Sequence, residues 1–211
     1  DALSQAPSVL AMFENDKGIY PKTTGTVILG EDQGGTFATG VTQNIPILAQ
    51  SANQGIAVAR AEVDSLVRRI PLLLRTPDGW VPAFSTEVLK ILAGADTYVI
   101  RTNDNGLEEI RVKGLPAVPV DSLGRKWISF VNTPQTDLQE MDVEGRFVFV
   151  GFTAKGIMPQ LSTPVGYLEP HKIQAALAES ILIENSPYVP DYALAVETGI
   201  LLVSIGLMWL I

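Results

Sequence analysis

With 211 residues, 46% of them apolar and 18% charged, the chain can bury one sizeable core and is not an intrinsically disordered polypeptide. A formal charge of −8 argues against nucleic acid as a partner, because phosphate binding needs clustered lysine and arginine. The absence of cysteine removes zinc fingers, thiol catalysis and disulfide frameworks.

The chain starts at Asp1 and stops at Ile211 inside an apolar run, so both ends read as cuts in a longer polypeptide. Asp1 to Glu14 reads as helical, since Leu3, Leu10 and Phe13 share one face, although Pro7 interrupts it. Thr26 to Gly30 is a short strand. Glu31 to Gln54 is polar and rich in Gly and Thr, and reads as a long surface loop. Ala61 to Leu74 is a turn on Asp64-Ser65 leading into a strand, and Thr76-Pro-Asp-Gly79 marks a hairpin turn. Pro82 to Leu92 is predicted to be a helix burying Phe84, Val88, Leu89 and Leu92 as one stripe. Thr97 to Arg101 and Leu107 to Val112 are strands joined by Asn103-Asp-Asn-Gly106. Val118-Pro-Val120 passes through Asp121-Ser-Leu-Gly124 into a strand from Lys126 to Val131.

Phe147 to Val150 is an unbroken apolar run of aromatic and β-branched residues between Arg146 and Gly151. It predicts a strand buried on both faces at the centre of the sheet. Gly156, Pro159, Pro164 and Gly166 then force an irregular crossing, the kind of loop in which α/β proteins place ligands. Pro170 to Glu184 is a helix facing inward with Ile173, Leu177, Ile181 and Leu182. Strands interleave with helices throughout, so the fold class is α/β or α+β, a mixed sheet flanked by helices.

Residues 193–211 form a separate unit of 19 residues with one charge, Glu197. As an α-helix this length spans roughly 28 Å, close to the hydrocarbon thickness of a bilayer. Tyr188 and Tyr192 stand before it like an interfacial border, and no lysine or arginine follows Lys172. The reading is a C-terminal transmembrane helix, with residues 1–192 as a globular body outside the cytoplasm.

Several chemistries fail on spacing. Gly151-Phe-Thr-Ala-Lys-Gly156 has the glycines of a phosphate loop, but Ile157-Met158 stands where lysine and a hydroxyl residue belong. Gly30-Glu-Asp-Gln-Gly-Gly35 puts two acids where a dinucleotide's pyrophosphate sits. His171 is the sole histidine, so no multi-histidine metal site exists, and it reads as a surface or capping residue. No catalytic residue, cofactor or metal ligand is assigned. Arg68 and Arg69 alternate across a strand, so one points inward and needs a carboxylate partner; Asp64 and Asp121 are the candidates.

Three ordered segments resemble the CHASE2 domain, an extracytoplasmic sensory module of bacterial signalling proteins. They are Asp64-Ser-Leu-Val-Arg-Arg-Ile-Pro-Leu72, then Val118 to Phe130, then Glu144-Gly-Arg-Phe-Val-Phe-Val-Gly-Phe-Thr-Ala154 with Thr163-Pro-Val-Gly166. Ser65 departs from the family's usual glycine. His171, Gln174 and Ala176 stand where the family tends to have Gly, His and Asn. The strand–helix–strand segment that usually precedes the region equivalent to Asp1 is not found in this sequence, so Thr26 to Gly30 is expected to be an exposed sheet edge unless another chain covers it.

The resemblance implies a sensory input domain in the bacterial inner membrane. An unknown small molecule or protein would act on it from outside, and a cyclase or kinase output would lie beyond Ile211. A homodimer is expected. Arg68, Thr153, Lys155 and Thr163 are the candidate ligand contacts; Asp64, Asp121, Gly151, Pro164 and Gly166 are read as structural. The alternatives are a membrane-anchored periplasmic solute-binding domain or hydrolase, and a dimerisation module without a ligand.

Overall fold

A computed structural model of the chain describes residues 3, 5–130, 133–136, 145–154, 159–184, 186–187 and 192–210. The run Val9 to Met12, just past Pro7, is extended rather than helical. It opens β1 (Val9–Ile19), which pairs in parallel with β5 (Asn53–Ile56) and antiparallel with β4 (Val41–Thr42). Of the helix predicted over Asp1 to Glu14, the part from Val9 to Glu14 is therefore strand. Met12 is buried and Phe13 exposed, an alternation with a period of two that the spacing of Leu3, Leu10 and Phe13 masks.

The expected long loop from Glu31 to Gln54 also carries structure. It contains β3 (Thr36–Phe37), β4, the single helical turn α1 (Pro46–Ala49) and the start of β5. β3 runs parallel to β7 (Leu73–Thr76), which forms a hairpin with β8 (Gly79–Pro82). The predicted strand at Thr26 is β2 (Gly25–Leu29), on the edge of the largest sheet. Its order is β11 (Val118–Pro119), β10 (Gly106–Val112), β9 (Thr97–Asn103), β2. β9 and β10 turn at Asn103 to Gly106 as the sequence predicts.

β6 (Arg69–Pro71) pairs with β12 (Arg125–Trp127), and β13 (Leu161–Thr163) with β14 (Gly166–Leu168). These small mixed sheets and two packed helices, α2 (Phe84–Leu92) and α3 (Pro170–Leu182), share one apolar core. The class is a mixed α/β fold, as expected.

Helix α2 does not bury the predicted stripe. Leu92 is exposed, whereas Ser85, Thr86 and Glu87 are buried beside Leu89. Each polar group answers to a specific neighbour. Glu87 accepts from the Tyr98 hydroxyl at 2.8 Å and pairs with Lys90 at 2.8 Å. Burial, with the Glu87 charge beside it, drives the Tyr98 pKa upward and holds its proton in place. Ser85 meets Gln174 of α3. Among the described residues Thr86 Oγ1 has no partner, a deficit of about 1–3 kcal/mol. α2 begins hard against β5: a Cβ on Gly55 would lie 2.6 Å from Phe84 Cα, so only glycine permits this approach.

Gln174 is 1% exposed and makes the central polar contact. Its Nε2 donates to the Val58 carbonyl at 2.7 Å. Its Oε1 accepts from the Ser85 hydroxyl at 2.5 Å and from the Ser85 amide at 3.3 Å. One residue before the end of α3's buried face, Ser180 Oγ accepts from the Ser129 amide at 2.9 Å.

Phe147 to Val150 is not a buried strand. Val148 is 42% and Val150 73% exposed, and among the described residues no strand pairs with this stretch. An apolar run needs a ladder partner to become a strand, and composition does not supply one. The stretch is held by an edge-on contact of Phe149 with Phe84, ring centroids 5.7 Å apart.

The tail is a helix, α4 (Ala193–Leu210), of 18 residues. From Leu194 to Trp209 its side chains are exposed rather than folded into the core. Among the described residues no helix is long and apolar enough to cross a membrane, so the spanning assignment of residues 193–211 is not supported here.

The Gln174 network generates a test. Gln174→Leu strands the Val58 carbonyl and the Ser85 amide in an apolar setting, and should cost roughly 2–4 kcal/mol in urea unfolding. A loss under about 0.5 kcal/mol would show that the network is dispensable.

Candidate functional site

Arg68 and Arg69 sit where β6 begins, after a tight turn on Asp64 and Ser65. Asp64 Oδ1 accepts from the Leu66 amide at 3.2 Å, and Ser65 adopts a left-handed φ of +66°. That conformation gives the physical reason for a glycine at this point of the CHASE2 pattern, which Ser65 departs from.

The strand alternation does not separate a buried arginine from an exposed one. Both side chains are about a quarter exposed, at 26% and 21%, and both are paired. Arg68 Nη1 donates to Asp64 Oδ1 at 2.8 Å and lies 3.7 Å from Glu62. Arg69 donates to Glu62 at 2.7 Å and to Asp121 at 3.1 Å, and its guanidinium stacks 4.9 Å from the centre of the Trp127 ring. Asp121 also accepts from Arg125 Nε at 2.8 Å and closes its own turn by accepting from the Leu123 and Arg125 amides.

The cluster thus sets three acids, Glu62, Asp64 and Asp121, against three arginines. The hydrogen bond from Arg69 holds Glu62 below the usual carboxylate range, and the one from Arg68 does the same for Asp64. With its charges balanced internally, the cluster fastens the turn, β6 and β12 together and leaves no spare cation for an anion.

The Thr163-Pro-Val-Gly166 segment is the turn of the β13–β14 hairpin. The buried Thr163 hydroxyl donates to the Gly166 carbonyl at 2.6 Å, and Gly166 has a φ of +118°. The Val67 amide donates to the Ser162 carbonyl at 2.8 Å, which brings this hairpin beside Arg68. Arg68 and Thr163 are therefore neighbours in the fold, and both are already bonded internally. Thr153 is exposed in an irregular stretch, and no bond joins it to them. Lys155 lies outside the described residues. Gly151 packs against the first turn of α3, where a Cβ would fall 2.1 Å from the His171 ring. Pro164 is exposed in the hairpin turn.

Sequence reasoning missed Lys126. Arg125 and Trp127 face the arginine cluster, so the residue between them must point to the opposite, buried side, a conclusion that the strand period could have supplied. Lys126 is 7% exposed, and among the described residues it forms no ion pair. Burial lowers its pKa. Glu169, at the N-terminus of α3, accepts from Gln160 at 3.0 Å and Lys172 at 3.0 Å, and its pKa falls to about 2. Among the described residues no group of three His, Asp or Glu side chains is arranged to hold a metal.

The family model of the CHASE2 domain matches residues 2–211, essentially the whole chain. No curated protein and no solved structure matches it.

Two tests follow from these charges. Glu62, Asp64 and Glu169 have folded pKa values below their unfolded ones, so the unfolded chain binds protons that the folded chain does not. Their stabilisation is complete above about pH 5 and is lost as the pH falls through the lowered folded values. Urea midpoints should stay level down to about pH 5 and then drop, and the drop should be shallower in Arg68→Ala/Arg69→Ala. Lys126 has the opposite sign: its ammonium costs stability at neutral pH, and the cost is relieved as the pH rises towards the ordinary lysine value. Lys126→Met should therefore raise the melting temperature at pH 7 by a few degrees, about what 1 kcal/mol gives at this size, and the gain should shrink at high pH.

Proposed function

The chain belongs to the CHASE2 family, sensory domains of signalling proteins, and from that premise we propose that it is the extracytoplasmic input domain of a membrane-bound bacterial signalling protein. The observation that carries the reading is the match over residues 2–211. In this role the domain binds a stimulus outside the cytoplasm, and α4 passes the resulting change through the membrane to a cyclase or kinase.

The character of α4 supports the membrane part. It offers Leu194, Ile200, Leu201, Leu202, Ile205 and Leu207 to its surroundings, and Glu197 is its one ionisable group. The rest of the chain follows the same logic of placement. Glu179 and Glu184 precede α4 and no lysine or arginine stands between Lys172 and α4, a flank that favours the outer side for the body.

A second copy of the chain is the partner we assign to the domain. β2 ends its sheet with no Lys, Glu, Asp or Pro among its residues, and Val27 and Leu29 are about half exposed. Such an edge is open to pairing with a neighbouring strand. Arg68, Thr153, Lys155 and Thr163 remain the ligand contacts proposed from the family pattern. The saturated bonding of Arg68 and Thr163 favours a positioning role for that pair.

Protease shaving tests the placement. In cells carrying the full-length protein, protease added outside should cut the globular body, and cytoplasmic-side-out vesicles should protect it. Cutting only in the vesicles would overturn the orientation.

A further inference from the structure

Three segments meet at one pole of the body. The turn from β10 to β11 reaches the C-terminus of α2, where a Cβ on Gly114 would lie 3.8 Å from the Ala93 carbonyl oxygen. It also reaches the C-terminus of α3, since Leu115 and Pro116 line one small recess with Ile181. The outer surface of this pole is apolar. Leu92 is 49%, Leu182 39% and Ile183 48% exposed, and Pro116 is exposed in the turn.

The chain leading to α4 departs from the same pole. The Ser186 hydroxyl donates to the Ser180 carbonyl at 3.5 Å, which keeps this part of the chain at the end of α3. Ala193, the first residue of α4, stands seven residues further on. Seven residues reach at most about 25 Å, whereas a body of about 190 residues is roughly 40 Å across. The start of α4 therefore cannot reach the far side of the body.

We propose that this pole is a membrane-contact surface: Leu92, Pro116, Leu182 and Ile183 rest on lipid at headgroup level, beside the entry of α4. Placing the pole there rests on the reading of α4 as a membrane helix. Contact removes four exposed apolar side chains from water. Lys113, exposed in the turn, has an ammonium group to offer to lipid phosphates. Asp96 and Glu184 are exposed near the same helix ends, and their carboxylates keep the contact shallow. Both core helices end in this surface, so a stimulus that shifts α2 against α3 changes how the body stands on the membrane. Tyr167 is more exposed still, at 71%, but it precedes α3 and so lies a helix length, about 20 Å, from this pole.

The chain has no cysteine, so single introduced cysteines carry an environment-sensitive fluorophore without background. The test places the 211-residue chain in nanodiscs of phosphatidylethanolamine and phosphatidylglycerol, with some lipid bearing a nitroxide quencher near its headgroup. Label on Leu92→Cys and on Ile183→Cys should shift to the blue and be quenched at least about twofold more than label on Tyr167→Cys. Label on Met208→Cys reports whether α4 itself lies in lipid. Quenching at Met208 with none at Leu92 and Ile183, or stronger quenching at Tyr167 than at Leu92, overturns the contact surface and leaves the anchoring by α4 standing. Quenching at Leu92 and Ile183 with none at Met208 supports the surface and counts against the anchoring. No quenching at any of the four positions overturns both.

Discussion

One buried amide, the side chain of Gln174, holds the two core helices in a fixed relation. Apolar contacts between α2 and α3 set how much surface is buried but do not set direction. The bonds from Gln174 to Val58 and Ser85 do, because each has a required length and angle. Gln174 also ties both helices to the segment that leaves β5, where Gly55 lets α2 approach closely. The resemblance to CHASE2 drawn from the sequence sets a histidine at this position. Gln174 supplies a donor and an acceptor at once, as one histidine tautomer would, and does so without titrating near neutral pH.

The second constraint is the arginine cluster at the start of β6. It stands on the β6–β12 ribbon and reaches the β13–β14 hairpin through the bond between Val67 and Ser162. A stimulus that moves α3 must carry Gln174, Ser180 and their partners with it or break their bonds. The cluster opposes sliding of the ribbon, since the Arg69 guanidinium is shared between Glu62 and Asp121, acids on different segments. Movement is therefore easier at exposed turn residues, such as Gly114 and Pro116, than within the ribbon.

How much of this was legible in the sequence depended on the range of the signal. Turn chemistry is local, and Asn103 to Gly106 and Thr76 to Gly79 close hairpins as expected. So do the extents of α2 and α3, read from flanking Pro and Gly and from apolar spacing. Strand pairing is not local. Val9 to Ile19 is a strand through partners distant in the chain, from Val41 opposite Ile19 to Asn53 opposite Val9, and Phe147 to Val150 lacks a partner among the described residues despite its composition. The buried face of α2 was misread because Ser85, Thr86 and Glu87 look solvent-facing until Gln174, Tyr98 and Lys90 are placed beside them. The candidate site was legible in part: Asp64 and Asp121 were rightly named as arginine partners, but nothing in the spacing showed that the charges would balance within the cluster.

The exposed α4 bears on how any assembly of this chain can be measured. A rod 18 residues long, with hydrocarbon on every side and one carboxylate, does not stay single in plain buffer. It collects into bundles or dissolves in surfactant, whatever the globular part prefers. A stoichiometry recorded without surfactant would describe the stickiness of that rod, and the association of the folded body would be hidden beneath it.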